Sequence, residues 1–288
     1  MTGLAPTGPT FVPISGLTDP AIDDYRNLRE IHKRKLAEGV AGMAQADPRG
    51  LVVAEGEGVI RPMLDAGVRV KSVLATDDKL PQIADILARL APGTPVYTAP
   101  EALVQEIAGF PFHRGVLSVA YRPLPRDVRE VLRDSHTAVV LEDVYNVDNV
   151  GGMFRNAAAL GGPGVCVICA GGTCDPLYRK AIRVSMGKVF FVPWTKVERI
   201  DAQMFREAGF ETWALTPAAD ARPIGTMRAG DGRKVALLLG SEGPGLRAQT
   251  QAQADARVTI PIWPGADSLN VFVAGAIALS RVMEMRAG

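Results

Sequence analysis

The chain has 288 residues, 47% of them hydrophobic, and its 32 Lys+Arg against 31 Asp+Glu leave a net charge of +1. That length accommodates two ordinary domains with a sizeable core. The charge balance excludes a chain-wide basic field, so any face for nucleic acid has to be local.

The opening stretch MTGLAPTGPTFVPISGL lacks a basic n-region and a long apolar segment, which argues against a secretory signal. Its prolines and glycines predict a mobile tail over residues 1–18. Asp19 and Pro20 suit a helix start, and the segment they open carries the basic cluster His32-Lys33-Arg34-Lys35. That cluster reads either as a solvated helix face or as an RNA contact. Strands and helices then alternate. GLVVAEG is a strand and EGVIRPMLDAG a helix closed by Gly67. VKSVLAT is a strand, DKLPQIADILARLA a helix, TPVYTA a strand, PEALVQEIAG a helix and GVLSVAY a strand. Residues 19–122 therefore form a first α/β domain. RPLPRDVREVLRDSH reads as a linker with one helical turn, placing a boundary over 123–134.

From 135 to 288 the alternation resumes, with strands TAVVLED, GVCVICA, KVFFVP, ETWALT, KVALLLG and RVTIPI. The last helix is expected to begin at Ser268, just after Asp267. Continuous apolar strand runs with intervening helices predict an α/β fold with a mainly parallel sheet covered by helices on both faces. Cys166 and Cys169 form C-x-x-C inside a strand, where residues three apart face opposite sides and cannot clamp one metal. With the three histidines scattered, no metal site is expected. The late apolar run LNVFVAGAIAL is far short of the ~20 residues of a membrane span, so a cytoplasmic protein without a membrane partner is expected.

Parallel sheets place ligands at the carboxyl ends of their strands. Three glycine-bearing loops fall there: DNVGGMFRNAAALGG (148–162), LLLGSEGPGL (237–246) and IPIWPGADSLNV (260–271). None matches G-x-x-x-x-G-K-[ST] or G-x-G-x-x-G, so a dinucleotide enzyme is disfavoured. Together they resemble the three signature motifs of the SpoU/TrmH family of SPOUT methyltransferases. The first has the form N-x-G-x-x-x-R, matched by Asn149, Gly151 and Arg155. The second ends a strand with G-x-E-G-x-G, matched by Gly240, Glu242, Gly243 and Gly245. The third is I-P followed by S-L-N-V, matched by Ile260, Pro261, Ser268, Leu269, Asn270 and Val271. RVSMGKVFFVP (183–193) is similar to the family's middle segment. LVVAEGEGVIRPMLDAG with HRGVLSVA resembles its N-terminal substrate-binding domain, a small α/β sandwich that contacts RNA.

The resemblance implies a trefoil knot in the last third of the chain, S-adenosyl-L-methionine as cofactor, a homodimer, and methyl transfer to a ribose 2′-hydroxyl of ribosomal or transfer RNA. It implies cofactor contacts at Leu239, Gly240, Gly245, Ile260, Ile262 and Leu269, and catalytic roles for Arg155, Asn149, Glu242, Ser268 and Asn270. A guanidinium is always protonated. Arg155 is therefore expected to hold a phosphate and stabilise a developing alkoxide rather than to act as base; the alternative is a structural pair with Glu142 or Asp143. Ser268 reads equally as the N-cap of the last helix. Trp263-Pro264 and Asn156 depart from the family pattern, and Trp263 reads as a base-stacking group or a packed side chain. A non-catalytic RNA-binding protein of the same fold is the competing reading.

Overall fold

A computed structural model describes residues 7–26, 28, 50–110, 113–228 and 233–287. The basic cluster at 32–35 lies outside them. Two compact units form: one from the chain up to Pro123 together with Leu177–Phe190, the other from Leu124–Pro176 and Phe191 onward.

The first unit is built on strands β1 (Thr10–Pro13), β2 (Leu51–Glu55), β3 (Val70–Thr76), β4 (Pro95–Ala99) and β5 (Val116–Tyr121), in the order β1-β4-β3-β5-β2. β4 runs parallel to β1 and β3, whereas β5 is antiparallel to β3 and β2. Helices α1 (Glu57–Asp65), α2 (Ala84–Leu87) and α3 (Glu101–Ala108) connect them. The expected tail over 1–18 is corrected at Thr10–Pro13. The amides of Thr10 and Ile14 donate to the carbonyls of Thr94 and Thr98 at 2.9 and 2.8 Å. Pro13 sits between these donors on an edge strand, where a missing N–H is tolerated. Pro81 has a related effect in the second expected helix: Asp77–Ile83 winds as 3-10 turns, and α-helix begins only at Ala84. Ile22, Tyr25, Leu74, Val104 and Leu117 form the core, and the buried Tyr25 hydroxyl lies 2.7 Å from the Ser72 hydroxyl.

The second unit carries β6 (Thr137–Glu142), β7 (Val165–Ala170), β8 (Trp194–Val197), β9 (Phe210–Leu215), β10 (Arg222–Pro223), β11 (Lys234–Gly240) and β12 (Ala256–Thr259). They form one sheet in the order β10-β12-β9-β11-β6-β7-β8, with every pair parallel. Every residue of β6 and β7 is buried, which is why those strands read as unbroken apolar runs. Helices α4 (Val128–Arg133), α5 (Val147–Asn156), α6 (Arg179–Val184), α7 (Ala202–Glu207), α8 (Ala248–Gln253) and α9 (Val271–Ala287) complete the order, with α6 belonging to the first unit.

Two expected elements are displaced. KVFFVP is not a strand: Lys188–Phe190 forms a 3-10 turn after the positive-φ residues Met186 and Gly187, and β8 begins at Trp194. The last helix starts at Val271 rather than Ser268. Its cap is Asn270, whose Oδ1 accepts the Phe272 N–H at 3.0 Å while its carbonyl accepts the Ala274 N–H at 2.9 Å.

Candidate active site

The site grows from the carboxyl ends of β6, β9 and β11. β11 stops at Gly240, and Ser241–Gly245 folds straight back on it, with the Gly245 N–H donating to the Ser241 carbonyl at 3.0 Å. Gly243 and Gly245 take φ of +86° and +71°, a region in which side chains are costly. Gly240 is required for space instead. A Cβ there would lie 2.0 Å from the backbone of Gly245 and Leu246.

Behind this loop the end of β6 supplies two carboxylates. Buried Glu142 accepts the Arg247 N–H at 2.9 Å and the Thr250 hydroxyl at 2.6 Å, so it satisfies donors at the start of α8. Asp143, at φ +54°, accepts the Gly172 N–H at 2.8 Å and pairs with the Arg247 guanidinium at 2.6 Å. That hydrogen-bonded pair holds the Arg247 guanidinium above its ordinary pKa. Both carboxylates are therefore engaged with Arg247 rather than with Arg155, which removes the structural pairing open at the sequence level.

The first loop enters α5 through Asn146, whose side chain accepts the Asp148 N–H at 2.8 Å. Asn149, only 2% exposed, is held between the other two loops. Its Nδ2 donates to Glu242 Oε1 at 2.5 Å, and its Oδ1 accepts from Asn270 Nδ2 at 2.9 Å. Asn270 Nδ2 also lies 3.3 Å from the same Glu242 oxygen. One polar side chain from each of the three loops thus meets at one point. Glycines bring α5 and α9 together beside it: a Cβ at Gly152 would fall 2.9 Å from the Phe272 ring, and one at Gly275 would fall 2.5 Å from Met153 sulfur. Asn156 locks the pair by donating to the Phe272 carbonyl at 2.9 Å.

A cavity of about 400 Å³ opens at this junction, within the usual size of a small-molecule site. The six positions expected at the cofactor, Leu239, Gly240, Gly245, Ile260, Ile262 and Leu269, all line it, as do Glu242, Ser268 and Asn270. Asn149 touches the site through Glu242 and Asn270. Arg155 is exposed farther along α5 and is not among the lining residues. Sequence reasoning missed Leu215, Thr216 and Pro217, which wall the cavity from the end of β9. Their signal was an apolar strand closing on a proline, but only the β9–β11 pairing reveals that this end faces the site.

Residues 136–280 match the SpoU rRNA Methylase family. The chain belongs to that family. The resemblance read from the three motifs is thereby borne out. An uncharacterized tRNA/rRNA methyltransferase of Mycobacterium tuberculosis is 38% identical over 264 residues, covering 90% of this chain and 87% of the relative. A 23S rRNA (guanosine-2′-O-)-methyltransferase of Acinetobacter baylyi is 31% identical over 219 residues, covering 74% of this chain and 86% of the relative. Among solved structures, an AdoMet-bound rRNA methyltransferase of Sinorhizobium meliloti superposes with a TM-score of 0.75 at 26% identity, covering 95% of this chain and 98% of that one. Within the SpoU family, the cavity and its three-loop junction occupy the part of the chain that the family match spans.

Proposed function

We infer that this SpoU-family chain is an S-adenosylmethionine-dependent RNA methyltransferase acting on a ribose 2′-hydroxyl of ribosomal RNA. The observation that carries the reading is the junction of Asn149, Glu242 and Asn270 on a cavity lined by Leu239, Gly240, Gly245, Ile260, Ile262 and Leu269. The cavity fits the cofactor in kind. Leu239, Ile260, Ile262 and Leu269 offer apolar walls, and the missing Cβ of Gly240 lets the loop that follows β11 fold back beside them. Bound there, S-adenosylmethionine supplies a methyl group already activated by its sulfonium charge. The protein then has to align the acceptor oxygen and manage its proton, and alignment alone removes a large part of such a barrier.

In this reading Glu242 fixes the amide orientations of Asn149 and Asn270, and Ser268 and Asn270 face the reacting region from the rim. Arg155 holds a backbone phosphate of the RNA and stabilises charge growing on the hydroxyl oxygen; the proton leaves to water or to phosphate. The unit up to Pro123 contacts RNA. A trefoil knot in the last third of the chain belongs to the same reading. It is supported by the way residues 215–217, 239–243, 258–260 and 268–271 converge on one cavity. A homodimer is supported by the apolar side chains of Val273, Ile277 and Leu160, which stand 37%, 41% and 41% exposed. A cytoplasmic location accords with the lack, among the described residues, of any helix long and apolar enough to cross a membrane.

The test is transfer from methyl-labelled S-adenosylmethionine to deproteinised ribosomal RNA, followed by nucleoside analysis. A 2′-O-methylated nucleoside is expected. Label only in transfer RNA would move the substrate to the other class named for the mycobacterial relative. Cofactor binding without transfer to any RNA would favour the non-catalytic RNA-binding reading.

A further inference from the structure

Beyond Ile262, which lines the cavity, the third loop presents Trp263 with 80% of its surface exposed. It is the most exposed aromatic side chain among the large hydrophobics described on the surface. The indole sits on a defined support. The Trp263 carbonyl accepts the Ala266 N–H at 2.9 Å, closing a four-residue turn with Pro264 second and Gly265 third. Proline in that place fixes the turn before any ligand arrives. Gly265 does not adopt a positive φ, so the glycine answers to space: a Cβ there would lie 2.9 Å from the indole nitrogen. The ring edge therefore rests on the turn.

A rigid turn needs no tryptophan at its first position, and an indole left in water forgoes the burial that makes this side chain valuable. Its surroundings bear on what covers it. Pro261 and residues 263–268 are all exposed: the small Pro261, Pro264, Gly265 and Ala266 lie about the ring in sequence, and Asp267, Ser268 and Glu242 add polar and charged groups to the same rim. The core of a protein interface is depleted of charged residues and combines several large apolar or aromatic side chains; here the indole is the one large side chain of an exposed loop that also carries Asp267, and the exposed Val273 and Ile277 lie on α9, outside this loop. A lone aromatic among small and polar residues suits a partner that needs a single π-face. A nucleic-acid base is such a partner, because stacking on an aromatic ring is how single-stranded bases are held.

Resting on the methyltransferase reading, we propose that Trp263 is an RNA-recognition residue that stacks a base splayed next to the target nucleotide at the mouth of the cavity. The turn Trp263–Ala266 pre-organises the ring, so little freedom is lost when the base arrives. The contact is to a base face and not to phosphate, so it carries no counter-ion release.

The experiment compares unmutated protein with Trp263→Ala, Trp263→Leu and Trp263→Phe on deproteinised ribosomal RNA. It reads methyl transfer, RNA affinity across a salt series and affinity for S-adenosylmethionine. Trp263→Ala and Trp263→Leu are expected to lower kcat/KM and RNA affinity by about tenfold or more. Trp263→Phe should restore most of both, because it keeps an aromatic face where leucine keeps only apolar bulk. Cofactor affinity and the salt slope should not move. Wild-type RNA affinity in Trp263→Ala overturns the proposal. So does an equal loss of cofactor affinity, which would make the ring part of the cofactor wall, or a change of oligomeric state, which would make it a contact between copies. Failure of unmutated protein to transfer methyl while RNA binding still depends on Trp263 would strike the methyltransferase reading and leave the stacking inference standing.

Discussion

At Asn149 the amide has no freedom of choice. Its donor faces a carboxylate and its acceptor faces another amide donor. Asn149→Asp keeps the shape but turns a carboxylate oxygen towards Glu242. A buried polar group left without its bond costs about 1–3 kcal/mol, and here repulsion adds to it. The variant is expected to melt at least several degrees lower and to lose most methyl transfer, measured by calorimetry and label incorporation. Arg155→Ala removes a group that is exposed and outside the cavity lining. It should abolish transfer and leave cofactor affinity unchanged; parallel loss of both would refute the assigned role. The cysteines give a pH prediction. Burial pushes Cys166 up to about 11 and Cys169 up to about 12, while an unfolded thiol titrates near pH 8.5. A group with a raised folded pKa contributes stability that is complete below the unfolded value and is lost as pH rises towards the folded one. Each thiol should therefore erode stability by up to about 1.4 kcal/mol per pH unit above that point. At neutral pH neither should react with iodoacetamide until the protein is unfolded.

The loop after β11 shows how a backbone position, rather than a side chain, shapes the site. Gly240→Ala would drive a methyl into the backbone of Gly245 and Leu246, and backbone cannot swing aside as a side-chain tip can. The expected outcome is a reopened loop: cofactor affinity down more than tenfold, with β11 and its parallel partners still folded by circular dichroism. Unchanged affinity would show that the fold-back of 241–245 is not needed for the cavity. Such a role is partly legible in sequence. The second motif marks Gly240 by type, and the order of the three motifs marks which strand ends belong together. The parallel character of the second sheet is legible for a related reason, since β6 and β7 are buried on both faces and so are written as unbroken apolar runs. Partnership between strands is not written locally. β5 reads like any other strand yet pairs antiparallel, and Leu215, Thr216 and Pro217 reach the cavity only because β9 lies beside β11. Local composition misleads where tertiary structure overrides it. Pro13 is absorbed by an edge strand, and the β-favouring Val189 and Phe190 follow Met186 and Gly187 into a 3-10 turn.

Across the whole molecule the chain crosses between units more than once. It leaves the second unit after Pro176, gives Leu177–Phe190 to the first, and returns at Phe191. Within the first unit that borrowed segment is pinned by one buried carboxylate. Glu55, at the end of β2, lies 2.6 Å from Arg179 and 2.9 Å from Arg183, and the Arg179 guanidinium stacks 4.4 Å from the centre of the Phe110 ring. The side chains of Glu55 and Arg179 are 7% and 16% exposed, so neither can exchange its partner for water cheaply. Glu55→Gln keeps the volume and removes the charge, leaving the guanidiniums of Arg179, Arg183 and, at 4.0 Å, Arg114 beside a neutral amide. Losing one member of a buried pair costs about 3–5 kcal/mol; with Arg183 partly solvated, the lower end is expected. Urea unfolding should show the transition that reports the first unit moving to lower denaturant, and limited proteolysis should cut within 177–190 sooner. The cavity of the second unit contains neither Glu55 nor any residue of 177–190, so cofactor affinity below the unfolding transition should stay near that of unmutated protein. Loss of cofactor binding in a Glu55→Gln protein that is still folded would mean that the borrowed segment communicates with the cavity. Its pinning by Glu55 would then be part of activity and not of stability alone.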